Sequence, residues 1–272
     1  MNTTSNPMGD ELLFEVRDGI ARVTFNRPQA RNALTFAMYE RLADICAEVD
    51  ASPTVRVMLL TGSGDKAFAA GTDISQFRAF ETPEDALAYE ARIDRVLSAL
   101  ERCRVPTIAA IAGACTGGGA GIAAVCDLRI GAANAKFGFP IARTLGNCLS
   151  MANYARLSAL IGPARVKDLI FTARLIEAEE AKAIGLLGEV VPDTADLLPR
   201  AEDLARTVAA HAPLTLRATK EALRRLQAGA STGSGAGVDA GEDLILMCYM
   251  SEDFREGMDA FLNKRLPHWK GT

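Results

Sequence analysis

Two glycine-rich segments of this 272-residue sequence have the residue types to do chemistry. One is Phe68-Ala69-Ala70-Gly71-Thr72-Asp73-Ile74. The other, Gly113-Ala114-Cys115-Thr116-Gly117-Gly118-Gly119-Ala120-Gly121, runs into an apolar helix. Glycine lets main chain approach a ligand with no Cβ in the way, so an N–H after Gly71 and another within the glycine run can converge on one carbonyl oxygen. The second segment also opens a helix, and the partial positive charge at a helix N-terminus favours negative charge building up on that oxygen. Together the two would make an oxyanion hole. The side chains expected beside such a hole are apolar or absent in these segments.

The elements that must position them read as alternating strands and helices. Leu12–Val16 and Ile20–Phe25 alternate in character around Asp18-Gly19, a hairpin signal, and Asn26-Arg27-Pro28 then breaks the strand. The spacing of Met38, Leu42, Ile45 and Val49 predicts a helix over Thr35–Val49, followed by a buried strand at Val55–Thr61 ending at Gly62-Ser63-Gly64. Thr82 and Pro83 suit the N-cap and first position of a helix running to Arg102. Val105–Ala112 is strand-like, Gly118–Cys126 helical, and Asp127–Ile130 and Lys136–Phe139 are short strands. From Gly146 the pattern is mainly helical, interrupted at Gly162-Pro163 and by a strand-like Gly188–Val191. Helices are expected at Ala195–Ala210, Pro213–Gln227 and Val238–Lys264, with the glycine- and serine-rich run Gly229–Gly237 as a flexible connector. The architecture expected is an α/β core with a helical C-terminal appendage.

Composition excludes several functions. There are 30 basic and 34 acidic side chains and no Lys/Arg block, which argues against a nucleic-acid or anionic-membrane partner. Six cysteines (Cys46, Cys103, Cys115, Cys126, Cys148 and Cys248) form no C-x-x-C pair, and the two histidines, His211 and His268, lie far from most of them. Reduced thiols and no metal site are expected. Residues 1–11 have no basic n-region or apolar h-region, so the expected location is cytoplasmic. Val105–Cys126 is uncharged and long enough to raise a transmembrane reading, but Pro106, Thr107 and five glycines favour a strand, a turn and a buried helix. Gly119-x-Gly121-x-x-Ala124 imitates a dinucleotide fingerprint, yet from Leu128 to Lys167 there is no Asp or Glu to hold a ribose. Serine peptidase chemistry needs a Ser at the glycine run, where Ala120 follows Gly119, and a His within reach.

The ordered set of motifs resembles the crotonase (enoyl-CoA hydratase/isomerase) superfamily over nearly the whole length. It comprises Asn26-Arg27-Pro28 with Asn32-Ala33-Leu34, the two glycine segments, Cys126-Asp127-Leu128-Arg129 and Phe137-Gly138-Phe139-Pro140. It continues through Ala178 to Gly185, Val190-Val191-Pro192 and Phe254-Arg255-Glu256-Gly257 with Phe261, Lys264 and Arg265. The resemblance implies a spiral of β-β-α units over residues 1–200 that binds acyl-CoA. Residues 201–272 would form a helical region that packs homotrimers, or dimers of trimers, and covers the active site. It implies an acyl-CoA thioester as substrate, in the setting of fatty acid metabolism, with coenzyme A entering as part of that substrate and no separate cofactor. The oxyanion hole implied is the backbone N–H of Thr72 and Gly118. Adenine and pantetheine would lie against Gln29, Arg31, Ala70, Asp73 and Ile74, with Phe261 and Lys264 reaching the nucleotide end, from a neighbouring subunit if the trimer so places them.

The family's hydratases add water with two glutamates, one activating the water and one protonating the α-carbon. The first would fall at Gly121 and the second at Ile141. The same stretch holds Arg143, Thr144, Asn147, Cys148 and Tyr154 instead. Arg143 could hold a substrate carboxylate; Asn147 and Cys148 are candidate catalytic groups, or an N-cap and a buried thiol. Glu81, Glu84 and Asp85 either reach the acyl pocket or are solvated helix-start charges. Asp73 is expected to order its loop and Asp127 to tie a helix end to the next strand. Three functions stay open: an acyl-CoA lyase or isomerase, another enolate reaction such as decarboxylation or thioester hydrolysis, and a non-catalytic acyl-CoA-binding protein. Leu244, Ile245, Met247 and Met250 point to a packed interface near the C-terminus.

Overall fold

The computed structural model of the chain describes residues 11–232 and 241–272. Asp18 and Gly19 both take positive φ, 51° and 76°, the backbone of a two-residue turn whose twist suits a hairpin. The turn joins β1 (Leu12–Arg17) antiparallel to β2 (Ile20–Phe25). Thr35 caps α1 (Phe36–Ala51) by accepting the Met38 N–H, and the helix buries Met38, Tyr39, Leu42, Ile45, Cys46 and Val49. A repeating unit then begins. β3 (Val57–Gly62) and β4 (Ala67–Ala70) lead into α2 (Pro83–Arg102); β5 (Thr107–Ile111) and β6 (Ala114–Thr116) lead into α3 (Gly118–Val125). β7 (Leu128–Ala132) and β8 (Lys136–Gly138) start a third unit, followed by α4 (Ile141–Thr144), α5 (Met151–Ile161) and α6 (Pro163–Thr172). β9 (Ile176–Glu177), α7 (Ala178–Ala183) and β10 (Glu189–Val191) complete the strands. The chain ends in α8 (Thr194–Ala209), α9 (Pro213–Thr232), α10 (Glu242–Tyr249) and α11 (Glu252–Leu262).

The first strand of each pair joins a six-stranded sheet ordered β1-β2-β3-β5-β7-β10, and the second joins a four-stranded sheet ordered β4-β6-β8-β9. Each unit thus crosses from one sheet to the other before a helix returns it, which builds a spiral. Strands β2, β3, β5, β7 and β10 run parallel. β3 opens on an unbroken apolar run, Val57 to Leu60, because helices cover both faces of its sheet. Val57 and Leu59 pack with Leu197, Ala201 and Ala205 of α8, while Met58 and Leu60 join the larger core shared with α1, α2 and α3.

Most expected elements are present, with four differences. β4 and β6 do not stand out in sequence, since they are four and three residues of mostly small side chains with too little length to show a period. The boundary expected at residue 200 falls inside α8, whose Leu197, Ala201 and Ala205 form one continuous buried stripe; the core therefore runs through α8. α9 continues through Gly229 to Thr232, so the expected connector does not start there, and Gly233–Gly237 and Val238 lie outside the described residues. The single helix expected up to Lys264 is two, because Ser251 starts a new one by accepting the Phe254 N–H. The Val105–Cys126 run forms β5, β6 and α3, and among the described residues no helix is long and apolar enough to cross a membrane.

Candidate active site

β4 and β6 pair in parallel with Ala70 opposite Thr116, so the residues that follow them emerge side by side. Each strand end is followed by a glycine at positive φ, Gly71 at 95° and Gly117 at 51° with ψ −119°, conformations that L side chains rarely adopt. The segments touch: a Cβ on Gly117 would lie 3.4 Å from the Gly71 Cα. The next residues are Thr72 and Gly118. Leu34 donates its N–H to the Gly71 carbonyl and accepts from the Asp73 N–H, both at 2.8 Å, which leaves the Thr72 N–H facing away from Leu34. Gly118 is the first residue of α3, where helix N–H groups have no intrahelical acceptor. Among the described residues neither N–H has a hydrogen-bond acceptor, and both residues border one cavity of about 200 Å³.

Two tyrosines buttress this arrangement. Thr72 Oγ1 stands 2.9 Å from the Tyr39 hydroxyl and 2.9 Å from that of Tyr89. A Cβ on Gly118 would lie 1.9 Å from the Tyr39 hydroxyl oxygen, so only glycine fits there beside Tyr39. Burial pushes both phenols above their ordinary range, which keeps them neutral hydroxyls at physiological pH. Tyr89 is held by rings of Phe36, Phe77 and Phe80 at centroid distances of 5.7, 4.9 and 5.9 Å. Fully buried Asn32 fixes the loop before Leu34: it accepts the Arg27 N–H and donates to the carbonyls of Ser63 and Ala67.

The remaining walls are largely apolar, with Ile93 and Leu97 from α2 facing Phe139, Ile141 and Leu145. Gly121 and Ile141, the positions at which the resemblance would put acids, both border the cavity. Asn147 reaches its lining, whereas Arg143 and Cys148 are exposed and lie outside it. Thr144 Oγ1 donates to the Pro140 carbonyl at 3.0 Å, and Tyr154 packs against the core. Glu81 and Glu84 are exposed, and Asp85 forms a capping box with Thr82; none of the three lines the cavity. The acid that does is Glu90, one to two turns further along α2. Its sequence signal is position: it precedes Ile93 by three residues and Leu97 by seven, in register with the buried stripe.

The residues expected to meet coenzyme A are dispersed. Ala70 and Ile74 line the cavity. Exposed Gln29 and Arg31 lie on the neighbouring turn, where the Arg31 carbonyl accepts the Ala70 N–H at 3.0 Å. Asp73 accepts from the Ser75 N–H (3.1 Å) and hydroxyl (2.7 Å) and from Arg27 (3.0 Å). The Ser75 hydroxyl above all, with Arg27 adding to it, holds this carboxyl below the usual carboxylate range. Phe261 and Lys264 stand apart on the C-terminal side, Phe261 in a separate groove with Phe254, Met258 and Trp269. Asp127 ties β5 to α9, accepting from the Thr107 N–H (2.7 Å) and hydroxyl (2.9 Å) and from Lys220 (2.7 Å).

Comparison with known proteins agrees with this architecture. The family profile described as "Enoyl-CoA hydratase/isomerase" matches residues 15–272. A Bacillus subtilis protein named for the enoyl-CoA hydratase/isomerase family is 38% identical over 266 residues, covering 97% of this chain and 100% of that one. A crotonyl-CoA hydratase from Syntrophomonas wolfei is 35% identical, covering 94% of this chain and 96% of that one. The crystal structure of an enoyl-CoA hydratase/carnithine racemase from Magnetospirillum magneticum superposes with a TM-score of 0.89 at 33% identity, covering 97% of each chain. With these matches spanning both sheets and the helical tail, the chain belongs to the enoyl-CoA hydratase/isomerase family and its α/β spiral is the crotonase fold.

Proposed function

We propose that this chain is an acyl-CoA-processing enzyme that stabilises a thioester enolate between the N–H groups of Thr72 and Gly118. One observation carries this reading: two main-chain donors without acceptors among the described residues open from paired strand ends into a single, largely apolar cavity. Enolate formation moves negative charge onto the thioester oxygen, and preorganised donors aimed there lower the barrier. Losing one such donor costs roughly 2.7–4 kcal/mol of transition-state stabilisation. Gln29, Arg31, Ala70, Asp73 and Ile74 would border the adenine and pantetheine. Phe261 and Lys264 would reach the nucleotide of a neighbouring subunit's ligand in a trimer or dimer of trimers. The setting is cytoplasmic fatty acid metabolism.

Hydration by two glutamates does not fit a cavity that has Gly121 and Ile141 in its wall. Decarboxylation or hydrolysis with Arg143 holding a substrate carboxylate is less well supported than an isomerase or lyase, because Arg143 lies outside the lining. The test is deuterium uptake at the α-carbon, read by mass spectrometry, for saturated, enoyl and dicarboxylic acyl-CoAs incubated with the protein in D₂O. Exchange with an uncharged acyl group is the expected result. Tight thioester binding without exchange on any of them would make this a binding protein instead.

A further inference from the structure

Among the described residues, one carboxylate borders the cavity, that of Glu90. It is half-buried and has neither a hydrogen-bond partner nor an ion pair among those residues. Its neighbours on the same helix are treated differently. Asp94 accepts from Ser150 and Arg156, and Glu101 pairs with Arg156. The nearest arginines on α2, Arg92 and Arg95, both turn to Glu40 of α1. A carboxylate kept for structure would have a donor, since withdrawing one from water unpaired is costly. Glu90 instead borders the space that the acyl group of a thioester would fill, in a lining that also includes Ile93, Leu97, Thr72 and Gly118.

We propose that Glu90 is the catalytic acid/base of this cavity and that its reaction is a proton shift within an unsaturated, uncharged acyl thioester. This rests on the oxyanion-hole reading above. The Glu90 carboxylate takes a proton from the α- or γ-carbon. The C–H electrons form a carbon–carbon double bond and move charge onto the thioester oxygen, held by the two N–H groups. The enolate then collapses and takes a proton back from the Glu90 carboxyl at the other carbon, a deuteron wherever that carboxyl has exchanged with D₂O in the meantime. Nothing is added or lost, so a single carboxylate suffices and no water needs activating. The walls of Ile93, Leu97, Phe139, Ile141 and Leu145 suit an aliphatic chain and offer no cation to a second carboxylate on the substrate.

Burial, with Asp94 one turn on, raises the Glu90 carboxyl above its ordinary range, towards a pH where a general base works near neutrality. The ionisable groups around it are Tyr39 from α1, Tyr89 and Asp94 from α2, and Arg156 of α5 behind Asp94. α3 contributes no ionisable group to the cavity wall, and the segment after α4 contributes only the amides of Asn147 and Asn153.

The test uses the intact protein with trans-3-hexenoyl-CoA and trans-2-hexenoyl-CoA in D₂O, following isomer conversion and deuterium uptake by mass spectrometry and binding by calorimetry. Wild type should interconvert the two. Glu90→Gln should lower conversion about 100- to 10,000-fold while binding stays within a few-fold, and Glu90→Asp should recover part of the rate. The wild-type rate should rise through a single group titrating above the usual carboxylate range, and that limb should vanish in Glu90→Gln. Conversion by Glu90→Gln within threefold of wild type would overturn the role of Glu90 and leave the oxyanion hole standing. Wild type that binds but neither converts nor exchanges would overturn it too, as would a water adduct of the 2-enoyl probe as the main product. Absence of binding altogether would overturn the underlying reading.

Discussion

Gly118 has no side chain because Tyr39 occupies the space one would need, with its hydroxyl oxygen 1.9 Å from where a Cβ would lie. This shapes how the donor can be tested. Proline is tolerated at the first position of a helix, where the missing N–H has no intrahelical acceptor, but here its ring would strike Tyr39. Tyr39→Phe removes the obstructing oxygen, the next ring atom being 3.2 Å away. The double variant Tyr39→Phe/Gly118→Pro is therefore expected to fold, judged by circular dichroism, yet to lose α-proton exchange by at least about 100-fold relative to Tyr39→Phe. Exchange at the Tyr39→Phe rate would refute the donor assignment. The same cavity wall allows a gain of function. A Cβ at Gly121 makes ordinary contact with Leu97 at 3.4 Å, so Gly121→Glu combined with Ile141→Glu should raise crotonyl-CoA hydration by about 100-fold or more, scored by product mass. No gain would mean that missing acids are not what sets the reaction. The role of glycine at 118 was open to a reader of the sequence, but its collision with Tyr39 was not: helical spacing buries a face without saying which atom its hydroxyl meets.

The C-terminal helices are tied by carboxylates rather than by a deep core. Glu221 of α9 binds Arg224 and Arg225, and Arg225 reaches Asp243 of α10 at 2.7 Å. Glu256 of α11 holds Arg265 (2.6 Å) and the His268 N–H (2.7 Å), and buried Asp253 accepts the N–H groups of Lys270 and Gly271. The Arg224 bond draws Glu221 from 4.5 down to about 2, and the Arg265 bond does the same for Glu256. A carboxyl lowered in the folded state stabilises it fully above the unfolded value and ceases to do so as the pH falls through the folded one. The loss thus falls between pH 4.5 and about 2, and high salt weakens it because these groups are accessible to solvent. In thermal melts across that window Glu221→Gln/Glu256→Gln should show a flatter pH dependence than wild type; parallel curves would contradict the assignment. The helix starts at Thr35 and Thr82 were legible beforehand, since both cap by local bonds, whereas the one at Ser251 lay hidden inside a continuous helical pattern. The ties between helices were not legible either, because arginine and glutamate occur throughout these segments and sequence spacing does not pair them.

The last two helices and the residues after them leave apolar side chains uncovered. Met250, Phe261, Leu262 and Leu266 are 66%, 83%, 78% and 84% exposed, and so many large apolar side chains left uncovered within one stretch of chain suit an interaction surface. Ile245 is exposed like Met250, whereas Leu244 and Met247 line the charged cleft that holds Arg217, Lys220 and Glu221. The trimer or dimer of trimers proposed above would cover these side chains. Sedimentation velocity should give three or six chains, and Met250→Glu/Leu262→Glu should lower that number while circular dichroism is retained. If Phe261 and Lys264 complete a neighbour's nucleotide site, the dissociated variant should also bind acyl-CoA less tightly. A wild-type monomer at micromolar concentration would refute both.

Local rules account for what the chain shows before it is folded: positive-φ glycines, side-chain caps, and apolar residues repeating every second or every third and fourth position. They mark the two glycine segments, the helix starts at Thr35 and Thr82 and the alternation of strand and helix, since each depends on a few consecutive residues. The pairing of Ala70 with Thr116 that sets the two donors side by side depends on residues far apart in sequence. So does the meeting of Tyr39, Thr72 and Tyr89 from α1, the β4 loop and α2. Glu90 lies between the two cases. Its place on an apolar stripe is written in the residue order, but the cavity that stripe faces exists only once α2 packs across α3, because a helix period specifies a face and long-range packing specifies what the face meets.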